Sequence, residues 1–205
     1  MVRIPGKAGL HEQIVKTTIE LGSELGEEGL TMRGIAARLG VSSTVLYQNF
    51  DSKAAIMREI ELHGMRLLEA SLAESEGATP SEHLAAMAVK YVEFAMANPW
   101  LYRVIFMGNV IDWTEIPEDE RKELLGPLTA VVEFLEQGKQ SGRLPASLDV
   151  QHAAMTLWAA MHGVATMLLD GRISTAHPVF PVRDIDAFVR AYVEGVVRGL
   201  TPPDE

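Results

Sequence analysis

Apolar residues recur at spacings of three and four in nearly every segment of this chain, and no run alternates as a half-buried strand would. Only a 3.6-residue turn brings such positions onto one face, so the expected fold class is all-α, with about nine helices. The first covers roughly residues 10–25, with Leu10, Ile14, Leu21 and Leu25 on one face, and Gly26 and Gly29 end it. Thr31 caps a second helix striped by Met32, Ile35, Ala36 and Leu39, which Gly40 stops. Ser42 caps a short third helix, and Asp51 or Ser52 caps a fourth that continues to about Leu72. Thr79-Pro80-Ser81-Glu82 is a capping box with proline at the first helical position, and Pro99 closes the fifth helix after Asn98. A short apolar helix over 100–107 and a loop over 108–117 follow. A seventh helix starts at Glu118, holds Pro127 and ends near Gly138 to Gly142. An eighth over 149–169 and a ninth over 184–200 precede a frayed TPPDE tail.

The chain is 205 residues long and 47% hydrophobic, enough for a real core and too apolar for disorder. It has no cysteine, which removes disulfides, thiol catalysis and Cys-ligated zinc, and fits a reducing cytoplasm. The N-terminal stretch has no apolar signal-peptide region. The longest apolar run, 153–169, holds Thr156, His162 and Thr166 and is shorter than the ~20 residues of a membrane span. No membrane partner is expected. Nor is catalysis: there is no nucleophile–base pairing and no glycine-rich phosphate loop. His152 and His162 have no third ligand at metal spacing, so neither a metal nor a cofactor is expected.

The net charge is −10, yet the acidity is uneven. Residues 1–55 hold six basic and six acidic side chains, so the excess of carboxylates lies entirely in the remaining 150 residues. Fields decay over a Debye length of ~8 Å at physiological salt, so a neutral N-terminal part with a few placed cations can still meet a polyanion. The acidic remainder suppresses loose non-specific binding.

Residues 31–53, TMRGIAARLGVSSTVLYQNFDSK, read as two short helices around a tight turn. On the second, Val45, Leu46 and Phe50 point one way, while Ser43, Thr44, Tyr47 and Gln48 form a contiguous opposite face. That face is polar and uncharged, with hydroxyl and amide groups suited to base edges and phosphates. Thr31, Arg33 and Lys53 bracket it as phosphate contacts, and a helix N-terminus such as that at Ser42 itself attracts phosphate. The same residues equally suit an ordinary capped helical hairpin with a solvated face.

The string Ile35-Ala36-x-x-Leu39-Gly40-Val41-Ser42-x-x-x-Leu46-Tyr47-x-x-Phe50-x-Ser52-Lys53 resembles the helix-turn-helix of the TetR family of bacterial transcriptional regulators. The resemblance implies a recognition helix in the major groove of double-stranded DNA and a Lys53–phosphate contact. Two positions depart from the family: Asn49 stands where many members have His, and Thr44 where Gly or Pro is common. Asn49 retains the capacity to bond a phosphate. Trp158-x-x-x-His162-Gly163 and Asn98-Pro99-Trp100-Leu101-Tyr102-Arg103 are similar to the Trp-His-Gly type of TetR C-terminal domain.

That resemblance divides the chain into a DNA-binding domain over 1–51 and an effector-binding and dimerisation domain over 52–205. A helical domain with this much methionine and aromatic content can enclose an apolar small-molecule pocket. Its candidate lining is Tyr91, Phe94, Phe106, Trp113, Leu128, Val132, Trp158, Met161 and His162, and plain core packing is the competing use of each. Helices eight and nine carry residues that permit close packing, among them Ala153, Ala160, Gly163, Met167, Phe188, Ala191 and Gly195. The family's usual homodimer pairs these two helices with their copies. A two-fold dimer suits a palindromic operator. The expected function is a cytoplasmic TetR-type repressor released by a small, largely apolar effector. The alternative is an effector-independent DNA-binding regulator.

Overall fold

The computed structural model describes residues 7–108 and 112–200, and among these it has nine helices and no strand. They are α1 Lys7–Leu25, α2 Met32–Leu39, α3 Ser43–Tyr47, α4 Lys53–Ala73, α5 Pro80–Ala97, α6 Pro99–Phe106, α7 Glu118–Gln140, α8 Val150–Leu169 and α9 Ile185–Leu200.

The caps explain the boundaries. Thr31 Oγ1 accepts the Gly34 amide at 3.0 Å and opens α2. Gly40 closes α2 in the left-handed region at φ 70°, where a side chain would be strained, and the Val41 amide returns to the Ala36 carbonyl at 3.0 Å. Ser42 Oγ accepts from Val45 N–H at the start of α3. Ser52 rather than Asp51 caps α4, its hydroxyl accepting from Ala55 N–H at 3.1 Å. Both arms of the Thr79–Glu82 capping box are present at the start of α5. Asp184 opens α9 by accepting the Ala187 amide.

Two compact units result. The first is Met1–Gly64 with Pro99–Glu115. In it Ile14, Ile35, Leu46, Ile56, Ile60 and Tyr102 are fully buried. It extends past the expected boundary at residue 51 because α4 belongs to it as far as Gly64 and α6 packs on α1. The close approach of α6 needs Gly22: a Cβ there would lie inside the van der Waals surface of the Trp100 ring. The second unit is Met65–Asn98 with Ile116–Glu205. Here α5 packs on α8 and α9, and α7 on α8. Leu84, Ala95, Leu135, Met161 and Val193 are at its centre.

Two local expectations, at Leu25 and Pro99, are corrected. Leu25 was expected on the buried stripe of α1 but is 56% exposed. It is the last residue of the helix, and Glu27, Glu28 and Gly29 beyond it are themselves exposed and give no cover. Pro99 does not merely close α5; Asn98 caps that helix and Pro99 opens α6, where its missing N–H costs nothing. Pro127 lies inside a helix that continues through it to Gln140. The expected frayed tail, residues 201–205, and part of the expected 108–117 loop lie outside the described residues.

Gly22→Ala should therefore destabilise the protein by about 1–3 kcal/mol through overpacking against Trp100, although alanine favours helix by up to ~1 kcal/mol. Urea unfolding followed by circular dichroism measures the difference.

Candidate functional site

In the first unit, α2 and α3 meet at the Gly40 turn. Leu46 and Phe50 are buried and hold α3 down, and the His11 imidazole of α1 stacks on the Phe50 ring at 4.3 Å. With that side anchored, Ser43, Thr44, Tyr47 and Gln48 all face outward, Tyr47 at 51% exposure. Thr31, Arg33 and Ser42 are also exposed. Thr31 and Ser42 use their lone pairs as helix caps, which leaves each hydroxyl proton free to donate.

Two expected contacts are already engaged within the chain. Lys53 Nζ donates to the Glu27 carbonyl at 2.8 Å, clasping the loop between α1 and α2. Asn49 is partly buried; its Nδ2 donates to the Val45 carbonyl at 2.8 Å, and its Oδ1 is buried without a partner. Both donors thus finish the α3 region locally. Arg38, which the sequence did not mark out, is bound by Glu24 of α1 through two bonds of 3.1 and 2.7 Å. The hydrogen bonds and charge of Arg38 hold the Glu24 carboxyl below its ordinary range. The signal for this pair was present only as opposite charges 14 residues apart.

The pocket candidates are distributed over both units. Tyr91, Phe94 and Met161 are buried in the second unit, and Leu128, Val132, Trp158 and His162 are partly buried there. Phe106 and the exposed Trp113 belong to the first unit. On α8, Trp158 stacks on His162 at 5.6 Å, and the Tyr91 hydroxyl of α5 is 3.4 Å from His162 Nδ1, within hydrogen-bonding reach. Thr166, one turn further, has a buried hydroxyl with no partner, which a lone threonine in an apolar helix does not signal in the sequence. Burial lowers the His162 pKa from 6.5 by disfavouring the imidazolium.

The small-residue candidates also divide. Ala153 is buried inside the second unit and is spent on internal packing. Ala160 and Phe188 are partly buried, and Gly163, Met167, Ala191 and Gly195 are exposed. Met155 and Met167 of α8 are 46% and 44% exposed, with Ala159 and Gly163 between them. A Cβ added at Gly163 or Gly195 would meet nothing within 4 Å.

Among the described residues no group of three His, Asp or Glu could hold a metal ion, and no helix is long and apolar enough to cross a membrane.

Two family models match the chain: "Bacterial regulatory proteins, tetR family" over residues 14–60, and "Tetracyclin repressor-like, C-terminal domain" over residues 84–196. The chain is 21% identical over 187 residues to the uncharacterized HTH-type transcriptional regulator YobS of Bacillus subtilis, covering 91% of this chain and 92% of the relative. It is 44% identical over 46 residues to the class C tetracycline repressor protein of Escherichia coli, 22% of this chain and 21% of the relative. Among solved structures, a protein of unknown function from Rhodococcus sp. RHA1 shares the fold at a TM-score of 0.77 and 21% identity, over 94% of this chain and 95% of that one.

The depressed His162 pKa carries a sign. Below pH 6.5 the unfolded chain takes up the proton that the folded chain resists, so stability falls as pH drops from 6.5 through the folded pKa. Thermal melts between about pH 7 and pH 5 should show a shallower loss in His162→Gln than in the parent protein.

Proposed function

The chain belongs to the TetR family of bacterial transcriptional regulators, and on that premise we propose that it is a repressor that binds a palindromic operator as a homodimer and is released by a small, largely apolar effector. One observation carries this reading: a five-residue α3, capped at Ser42 and anchored by Leu46 and Phe50, turns Ser43, Thr44, Tyr47 and Gln48 outward together. These side chains read base edges in the major groove. Arg33 and the capping hydroxyls of Thr31 and Ser42 hold the phosphates, and Lys53 and Asn49 keep α3 and the preceding loop in place for them.

The dimer uses the outward strips of α8 and α9. Glycine costs up to ~1 kcal/mol against alanine in an exposed helix. Gly163 and Gly195 bear that cost with no neighbour in the protomer, which suits backbone-close packing against a second copy. Met155, Met167 and Phe188 supply the apolar area around them. The effector contacts the Trp158, His162 and Thr166 side of α8 with Tyr91, an apolar surface carrying few polar groups and of the Trp-His-Gly type. Binding there favours a state in which the two α3 helices no longer match the half-sites, and its effect on DNA affinity equals its preference between the states. The protein acts in the cytoplasm and performs no catalysis.

Selection of genomic fragments by the purified protein should recover a palindrome. The Tyr47→Ala/Gln48→Ala variant should fold normally and lose at least about a hundredfold in affinity for it, since each good base contact is worth ~1–3 kcal/mol. Fragments recovered equally by both proteins would remove α3 from the reading. Gly163→Leu should shift the mass in sedimentation equilibrium toward monomer, and an unchanged dimer would place the interface elsewhere.

A further inference from the structure

Among the described residues the two most exposed large hydrophobic side chains stand next to each other: Val179 at 67% and Phe180 at 76%, in the loop between α8 and α9. Single exposed apolar residues are ordinary, but this pair is presented by a built loop. Where α8 ends, the Ile173 amide returns to the Met167 carbonyl at 3.1 Å. On the far side the Val182 amide donates to the Ser174 carbonyl at 3.0 Å. Between these points His177 Nδ1 accepts two backbone donors, Val179 N–H at 3.2 Å and Phe180 N–H at 2.9 Å. The imidazole also stacks on the Phe180 ring, with centroids 6.0 Å apart. Pro178 and Pro181 restrict φ on either side of the pair. The entropy of ordering Val179 and Phe180 is therefore spent before any contact forms, and preorganisation of this kind strengthens association.

Position and area indicate what covers them. The loop leaves α8 just past Met167 and enters α9 just before Phe188, so it continues the outward strips assigned to the dimer. Those strips offer Ala159, Gly163, Ala191 and Gly195, whose side chains give little area, and few larger ones such as Met167 and Phe188. A stable protein interface takes about 20–30 residues a side, so the strips alone fall short. Val179 and Phe180 extend them with branched and aromatic area, and aromatic side chains are enriched in interfaces.

Resting on the homodimer reading above, we propose that the α8–α9 loop is a preformed anchor that seats Val179 and Phe180 against a second copy of this chain. In a two-fold dimer the contact is made twice, so each anchor residue counts twice in the association energy.

The chain has no cysteine, so Val179→Cys supplies a single thiol. As the concentration of this purified full-length variant is raised, its alkylation rate should fall in proportion to the monomer remaining, because the dimer shields the thiol. Val179→Ser/Phe180→Ser should keep its helical circular dichroism and raise the dimer dissociation constant in sedimentation equilibrium about tenfold or more. Phe180→Leu, which keeps an apolar contact, should raise it less. A thiol that reacts equally fast at every concentration overturns the proposal and leaves the loop to a lipid surface or another protein. A doubly substituted chain that dimerises like its parent overturns it too. Gly163→Leu judges the α8–α9 strips separately. If it turns monomeric while the Val179→Cys thiol stays reactive in the dimer, the anchor fails and the strips stand. If it stays dimeric while the thiol is shielded, the anchor stands and the strips fail. A parent chain that is monomeric at every concentration overturns both.

Discussion

A helix of five residues does not stand alone in water, because nucleation costs more than so few hydrogen bonds return. The burial of Leu46 and Phe50 therefore holds α3 in shape, and everything on its outer face depends on that anchorage. The Ser42 cap and the left-handed Gly40 set where the helix begins and the direction from which the chain enters. The first unit supplies the rest of the platform: α1 contributes His11 beneath Phe50, and α6 packs on α1 through the space that Gly22 leaves. An outward surface of four uncharged side chains is thus held from behind by Leu46 and Phe50.

The second unit answers a different demand. Its α8 is apolar on nearly every side, and Ala154, Leu157, Met161 and Val164 use up only the inner strip. Met155, Ala159, Gly163 and Met167 remain outside, so the chain carries more apolar surface than one protomer's core consumes. The dimer proposed above would cover this strip. Between the two strips lie Trp158 and His162, partly covered, with the Tyr91 hydroxyl within reach of the imidazole.

Much of this was legible in the sequence where local chemistry decides the outcome. Thr31, Gly40, Ser42 and the Thr79–Glu82 box act within a few residues, so pattern and structure agree there. The inward and outward sides of α3 follow from period alone. What failed depended on partners distant in sequence. Leu25 has the right phase but no neighbour to cover it. Ala153 and Gly163 look alike as small residues, and only the packing of α8 on α5 and α7 shows that one is inside and the other outside.

The pairing of Arg38 with Glu24 bears on how the first unit would meet a polyanion. In the first unit Arg38 is paired with a carboxylate and Lys53 is turned to a carbonyl, so two of its cations are engaged by the fold itself while Lys16 and Arg33 stay exposed. A genome offers on the order of a million or more competing sites, and every cation that grips all of them equally lengthens the residence on each. Each cation tied up inside the fold is one fewer that grips every sequence alike, so the proposed operator binding would lean on the uncharged outer face of α3 more than on charge.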